Sequence, residues 1–573
     1  MFTLLSQFKR LVGVCWSAPG GRINLALYGL AVALNLGGVY AAVRLVEWTG
    51  QFYSAIETVD GPEVLRQIGV FALIIALNSA RGLSYEYLRK VLEIRWRKAL
   101  TDRAIRLWTH NKAFWHMAAN PVVGIDNPDQ RIAEDCRLFA RALLGETLDL
   151  IGQVVGLFSY LALLWSLSDF ALSLAPIGLD LEIPRYMVWA AFVYVALSSL
   201  ITHQLGKPLK GLLAEQQHKE ASFRFSMARW RTTFDEVALS NGEEAERRTF
   251  DMRFDDLAQN WKKLIRAELI LGSFTFPFRH SVLRIPLFVA LPGYLAGHVT
   301  FGGLMQLSMA FSQVVTTLSW FIFSYRDLAE LVATASRLDD FMQAAEGYGS
   351  IPRSMTHSVS PDRLALRQVN VKTFNGKPLL RLPDIELSAG DTLLLRGRSG
   401  IGKTTLMKMI AGFWPQGSGE VILPTDNAMF LPQRAYMPLG SLADAAAYPR
   451  TVQDLGRNVI EDALHDVGLG RMIARGSASV SAESDLTSLS GGELQRLAIA
   501  RLLIHRPAFA VLDEATSALD QAAETQLLKM IRDRLPDTIL ILISHRLPHS
   551  ISGMLTCDLD LQSWPPLTQS ASP

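Results

Sequence analysis

Charge is the first thing this 573-residue chain is short of: Asp, Glu, Lys and Arg make up only 19% of it. An ordinary soluble domain carries roughly 25%, and the mean hydropathy of +0.19 points the same way, to a membrane portion. The net charge is only +2, which gives no support to a polyanion-binding role and no reason to expect a nucleic-acid partner. Cysteine is also scarce. Cys15, Cys136 and Cys557 stand far apart, with no CxxC and no Cys/His cluster, so neither a disulfide framework nor a thiolate metal site is expected. A cleavable leader is not expected either, because Lys9 and Arg10 interrupt the first apolar run and no A-x-A site follows. Residues 1–22 read instead as an amphipathic helix lying at a membrane surface.

What is present is a series of apolar runs. A spanning helix needs about 20 mainly apolar residues, and six candidates occur: Leu25–Leu45, Val64–Leu83, Leu148–Trp165, Met187–Ile201, Leu271–Leu295 and Phe301–Tyr325. Lys and Arg are missing from Glu47–Glu63, from Ser168–Pro184 and from the turn near His298. They crowd Arg89–Arg141 and Lys207–Arg266. The positive-inside rule places the bare loops outside and the basic loops inside, with both termini in the cytoplasm. The basic loops are long and helix-forming, with turns at Asn127-Pro128 and Asn241-Gly242. Arg279, His280 and Arg284 fall inside the fifth run among Pro277, Pro286 and Pro292. Charge in hydrocarbon is costly, so these side chains either line a wet, basic cavity or snorkel and pair locally. The division expected is an all-α six-span domain over 23–338, a linker over 339–361, an α/β domain over 362–560 and a tail over 561–573.

The second domain carries the chemistry. DTLLLRG reads as a strand and TLMKMIAGF as a helix. Between them lies Gly397-Arg398-Ser399-Gly400-Ile401-Gly402-Lys403-Thr404, the GxxxxGK[ST] pattern in its strand–loop–helix setting. The glycines let backbone N–H groups turn toward phosphates, and the helix start adds a favourable dipole. Lys403 supplies a point charge to the outer phosphates of ATP, Thr404 offers a hydroxyl to Mg²⁺, and Thr405 adjoins them. FAVLDE reads as a buried parallel strand ending in Asp513, suited to Mg²⁺, and Glu514, placed to polarise an attacking water. Ser490, Gly491 and Gly492 open a further helix and make a second phosphate cradle, one that serves a nucleotide held by a partner chain.

With Gln433 in FLPQRAYMPLGS, His545 in ILISHRL and Ser517-Ala-Leu-Asp520, these motifs in this order resemble the ABC ATPase family over about Asp362–Asp558. The resemblance implies that Gln433 senses Mg²⁺ and the membrane domain, that Glu514 is the general base and that His545 contacts the γ-phosphate. It also places Asp520 in the loop beside the nucleotide. The family stacks adenine on an aromatic residue ahead of the first glycine motif; Phe374 is the nearest aromatic, with Thr373 in the usual place. In the membrane half, GIDNPDQRIAEDCR (124–137), EIPRYMVWAA (182–191), EQQHKEASFRFSMARWR (215–231), DEVALSNGEEAE (235–246) and LPGYLAGHVTFGGLMQLSMAF (291–311) resemble the SbmA/BacA-like permeases and their ATPase-fused relatives. The related eukaryotic group is ABC subfamily D, the peroxisomal fatty-acyl half-transporters. That kinship implies an exporter-type fold, a homodimer in a membrane such as the bacterial inner membrane, and ATP-driven movement of a bulky or amphipathic solute: a peptide, a corrinoid or a long-chain acyl compound. The alternative is a membrane-bound, ATP-dependent regulator or sensor that moves no cargo.

Overall fold

A computed structural model of the chain describes residues 2–119, 127–173, 182–231, 233–282, 284–352, 354–361, 363–424, 427–433, 435–472, 489–544 and 553–562. These divide into two compact units. The first holds residues 1–109 and 117–346, and the second holds His110–His116 with everything from Gly347 onward.

The first unit is helical. Among the described residues, four stretches are long and apolar enough to cross a membrane: Gly21–Glu57, Gly61–Ala119, Pro128–Leu167 and Tyr186–Arg231. They contain the first four expected spans and run well past them, as the helix-forming basic loops foretold. Their apolar outer faces are exposed, for example at Leu77, Leu83, Phe158, Val193 and Leu200, which is how a lipid-facing surface reads. The amphipathic helix expected at the start is Phe2–Ser17. Its Leu11 and Cys15 are fully buried, and Arg10 makes a paired contact with the buried Asp339 at 2.9 and 2.5 Å.

Two expectations are corrected. The fifth run is not one helix: Glu243–Ser281 ends, and a separate helix, Ile285–Leu295, begins. Pro286 lies in the first turn of the second piece, where its missing N–H is harmless, whereas a continuous helix would need that donor. Polar groups staple the break. Tyr194 Oη and Ser281 Oγ are 2.7 Å apart, and Ser312 Oγ donates to the Val282 carbonyl at 3.0 Å. Residues 339–349 are helical rather than linker, because Tyr325–Gly349 is one helix that buries Leu338, Phe341, Met342 and Ala345 at helical spacing. The sixth run lies on the helix Phe301–Phe323, capped by the Thr300 hydroxyl, which accepts from Gly303 N–H. Of the expected turns, Asn127 and Asn241 both adopt left-handed backbone, with φ of 52° and 48°.

The second unit is built on a five-stranded parallel sheet. Its order is Leu555–Asp558, Thr392–Arg396, Ile539–Ile543, Phe509–Asp513, Ala428–Leu431. The strand residues alternate between two cores. Leu393, Leu395, Val511, Ile541 and Ile543 face one, and Leu394, Ala510, Leu512, Leu540 and Leu542 the other. Both faces are therefore covered, which is why these strands read as continuous apolar runs. A second sheet joins Thr356–Val359, Gly417–Leu423, Arg363–Lys372 and Pro378–Arg381, with Ile385–Ser388 paired to Arg363–Lys372.

Candidate nucleotide site

Three functional segments leave the carboxyl ends of strands in the one parallel sheet, where open α/β sheets present ligand-binding groups. The glycine loop follows Arg396, Gln433 follows Leu431, and Glu514 follows Asp513. The strand Ile539–Ile543 leads toward His545, which lies outside the described residues.

The loop turns through Gly400 and Gly402, with φ of +84° and +112°. Gly402 then precedes the helix Lys403–Ile410. A Cβ on Gly402 would come within 2.6 Å of Leu379 Cδ2, so both backbone and packing require glycine here. Lys403 is buried, at 6% exposure, and its ammonium donates to the Gly397 carbonyl at 2.6 Å. Arg398 is held to Asp560 twice, through its N–H at 3.0 Å and its guanidinium at 3.5 Å. Ile401 is buried beneath the loop, whereas Ser399 and Gly400 face outward.

Thr404 Oγ1 donates to Asp513 Oδ2 at 2.8 Å, joining the helix start to the strand end. Burial pushes the Asp513 carboxyl above the usual carboxylate range. The Thr404 hydrogen bond and the Lys403 charge pull against that, and the neighbouring Glu514 adds to it. Gln433 Nε2 donates to Glu514 Oε2 at 3.0 Å. Lys403 thus lies on the loop, Thr404 is bonded to Asp513, and Gln433 is bonded to Glu514.

Ser490 caps the helix Gly491–His505. Its Oγ accepts from Glu493 N–H, and Glu493 Oε2 takes the Ser490 N–H at 2.8 Å and the Ser490 hydroxyl at 2.7 Å. These bonds hold the Glu493 carboxyl below its ordinary range. The S-x-x-E spacing is a capping-box signal, so the capping role of Glu493 is legible in the sequence beside the phosphate motif. Asp520 likewise caps Gln521–Arg534, accepting from Ala523 N–H at 2.7 Å. Asp560 and Gln495 carried no sequence signal of this kind. Phe374 is already engaged by aromatic neighbours: its ring centroid is 4.3 Å from Trp414 and 6.0 Å from Trp115.

The sequence also matches known protein families. Residues 19–282 match the family described as ABC transporter transmembrane region 2, and residues 380–517 match the ABC transporter family. The chain is 31% identical to the inner membrane ABC transporter ATP-binding protein YddA of Escherichia coli, over 95% of each chain. It is 28% identical to the human lysosomal cobalamin transporter ABCD4, over 91% of this chain and 89% of that one. Among solved structures it is similar to a bacterial Atm1-family ABC exporter with ATP bound, with a TM-score of 0.69 at 19% identity, covering 94% and 93% of the two chains. The fold is therefore exporter-type, and the chain belongs to the ABC transporters: an integral membrane protein that joins a helical membrane region to an ATP-binding, ATP-hydrolysing domain and has relatives in subfamily D.

Proposed function

We propose that the chain is one half of a homodimeric transporter that uses ATP to move a bulky or amphipathic solute. The observation that carries the reading is the arrangement at the carboxyl end of the parallel sheet: Lys403 on the glycine loop, Thr404 bonded to Asp513, and Gln433 bonded to Glu514. Gly397–Thr405 surround the phosphates with backbone N–H groups, and Lys403 exchanges its bond to the Gly397 carbonyl for the outer phosphates. Glu514 orients the attacking water and takes up its proton, and Gln433 holds the carboxylate in direction. His545 contacts the γ-phosphate. Ser490, Gly491 and Gly492 close over a nucleotide bound to the partner chain's loop, with Asp520 beside them, so two composite sites form.

Mg²⁺ fits the oxygen-rich set of Thr404, Asp513 and Gln433, whose Thr404 and Asp513 oxygens already lie 2.8 Å apart. When bound, it would neutralise charge on the phosphate oxygens.

The cargo class rests on kinship. One relative carries cobalamin in its name and another belongs to subfamily D as member 3. A peptide, a corrinoid or a long-chain acyl compound is the solute proposed, in a bacterial inner membrane with the ATPase domain and both termini cytoplasmic. The test uses proteoliposomes of the full chain challenged with peptides, corrinoids and acyl-CoAs. One class should stimulate ATP turnover and accumulate across the bilayer, and Lys403→Ala should abolish both. ATP turnover without accumulation of any of them would favour the membrane-bound sensor instead.

A further inference from the structure

The helix Gly491–His505 and the turn Glu514–Asp520 are joined by one buried side chain. Gln495, at 6% exposure, lies in the first turns of that helix. Its Nε2 donates to Ser517 Oγ at 3.2 Å and to the Glu514 carbonyl at 3.4 Å, and its Oε1 accepts from Ala518 N–H at 2.9 Å. The amide thus uses both its donor and its acceptor on a single turn. The helix start also packs directly on that turn. A Cβ on Gly491 would lie 3.6 Å from Ala518 Cβ, and one on Gly492 would lie 3.6 Å from Leu519 Cδ2.

The turn needs such support. Glu514 has φ +51°, a left-handed backbone that a residue with a side chain adopts only when its surroundings fix it. Its N–H donates to the Ile543 carbonyl at 3.0 Å, and its own carbonyl accepts from Ser517 N–H at 3.0 Å. The bond from Gln495 reaches this peptide from the Ser490 helix.

We propose that Gln495 is a positioning residue that sets the Glu514 backbone, and with it the direction of the carboxylate, from the phosphate-binding end of the Ser490 helix. The helix start that serves the partner's nucleotide and the glutamate that serves the chain's own nucleotide then move as one body. This rests on the roles proposed above for Glu514 and Ser490.

The test measures steady-state ATP turnover of the full chain in reconstituted membranes, with the stoichiometry of a non-hydrolysable ATP analogue counting the active sites. Gln495→Met keeps the volume and removes every hydrogen bond. It should lower kcat per active site by about tenfold or more, with KM for ATP within about twofold of wild type. Ser517→Ala, which trims the other end of the contact, should slow turnover as well. Combined with Gln495→Met it should add nothing, since both act through one contact. In a Glu514→Gln background, Gln495→Met should leave the residual single-turnover rate unchanged, because the group it positions is gone. Unchanged kcat in Gln495→Met, or a further fall in that background, overturns the proposal. Should Gln495→Met not assemble, Ser517→Ala carries the test, and normal turnover there overturns the proposal equally. If Glu514→Gln itself turns over at the wild-type rate, the base assignment fails. If Glu514→Gln is slow and Gln495→Met is not, only the tie fails.

Discussion

At Glu514 the chain accepts a left-handed backbone at a cost on the order of 1 kcal/mol, and the return is a carboxylate turned toward Gln433. Glu514→Gln keeps the shape and the φ but is a far poorer base. Turnover should fall by about 10²–10⁴-fold, while ATP binding, carried by Lys403 and the glycine loop, survives. ATP should then hold the two ATPase domains together, and a cross-link between cysteines placed at residue 398 of one chain and residue 490 of the other would report it. Wild-type turnover, or no ATP-dependent cross-link, removes Glu514 from the role of base. These residues were legible because their types and spacing repeat a chemical requirement: a lysine after a glycine loop, and an acidic pair ending an apolar strand. Gln495 was not, because a glutamine in a helix carries no mark of what it bonds until Ser517 and Ala518 fold back onto it.

Among the elements, the helix Lys403–Ile410 begins where Gly402 leaves no alternative. A side chain there meets both φ +112° and Leu379 at 2.6 Å. Gly402→Ala should destabilise the ATPase domain by about 1–3 kcal/mol and weaken ATP binding, read by thermal unfolding and nucleotide titration. Adding Leu379→Ala removes the clash but not the backbone strain, so recovery should be partial. Full recovery would show that strain at residue 402 contributes nothing. The strands were legible as apolar runs because both faces are buried. The broken fifth span was less so. Its length and hydropathy suit one helix, and the three prolines do not by themselves say where a helix will part. Tertiary staples such as Tyr194–Ser281 and Ser312–Val282 accompany the break after Ser281, and those pairings cannot be seen along the sequence.

For the molecule as a whole, the change from a helical unit to an α/β unit comes after the last apolar run, but its boundary does not lie at the end of that run. Buried Leu338, Phe341, Met342 and Ala345 carry the helical unit on to Glu346, a helical period that the glycines and serines just beyond it obscured. Less visible still is His110–His116, seven residues grouped with the second unit although the chain before and after them belongs to the first. Consecutive positive φ values at Asn111 and Lys112 mark the bend. Asn111 Nδ2 donates to the Gly349 carbonyl at 2.8 Å, and the Trp115 ring lies 4.9 Å from Phe413 and 5.9 Å from Trp414. The turns at Asn127 and Asn241 are visible in the sequence because Asn-Pro and Asn-Gly are turn signals. A Trp amid Ala, Phe and His has no periodic mark.

The captive segment bears on how the ATPase half behaves when cut away. A polypeptide beginning at Gly347 would contain every nucleotide-binding motif yet leave the faces of Phe413, Trp414 and Phe374 without their tryptophan cover. Bare aromatic surface of that kind promotes self-association. Such a fragment should elute as oligomers in gel filtration, and a soluble peptide spanning residues 108–118 should return it to a monomer. Replacing Trp115 by alanine in that peptide should abolish the return. A fragment that is monomeric without the peptide would mean that this half is already complete from Gly347 onward.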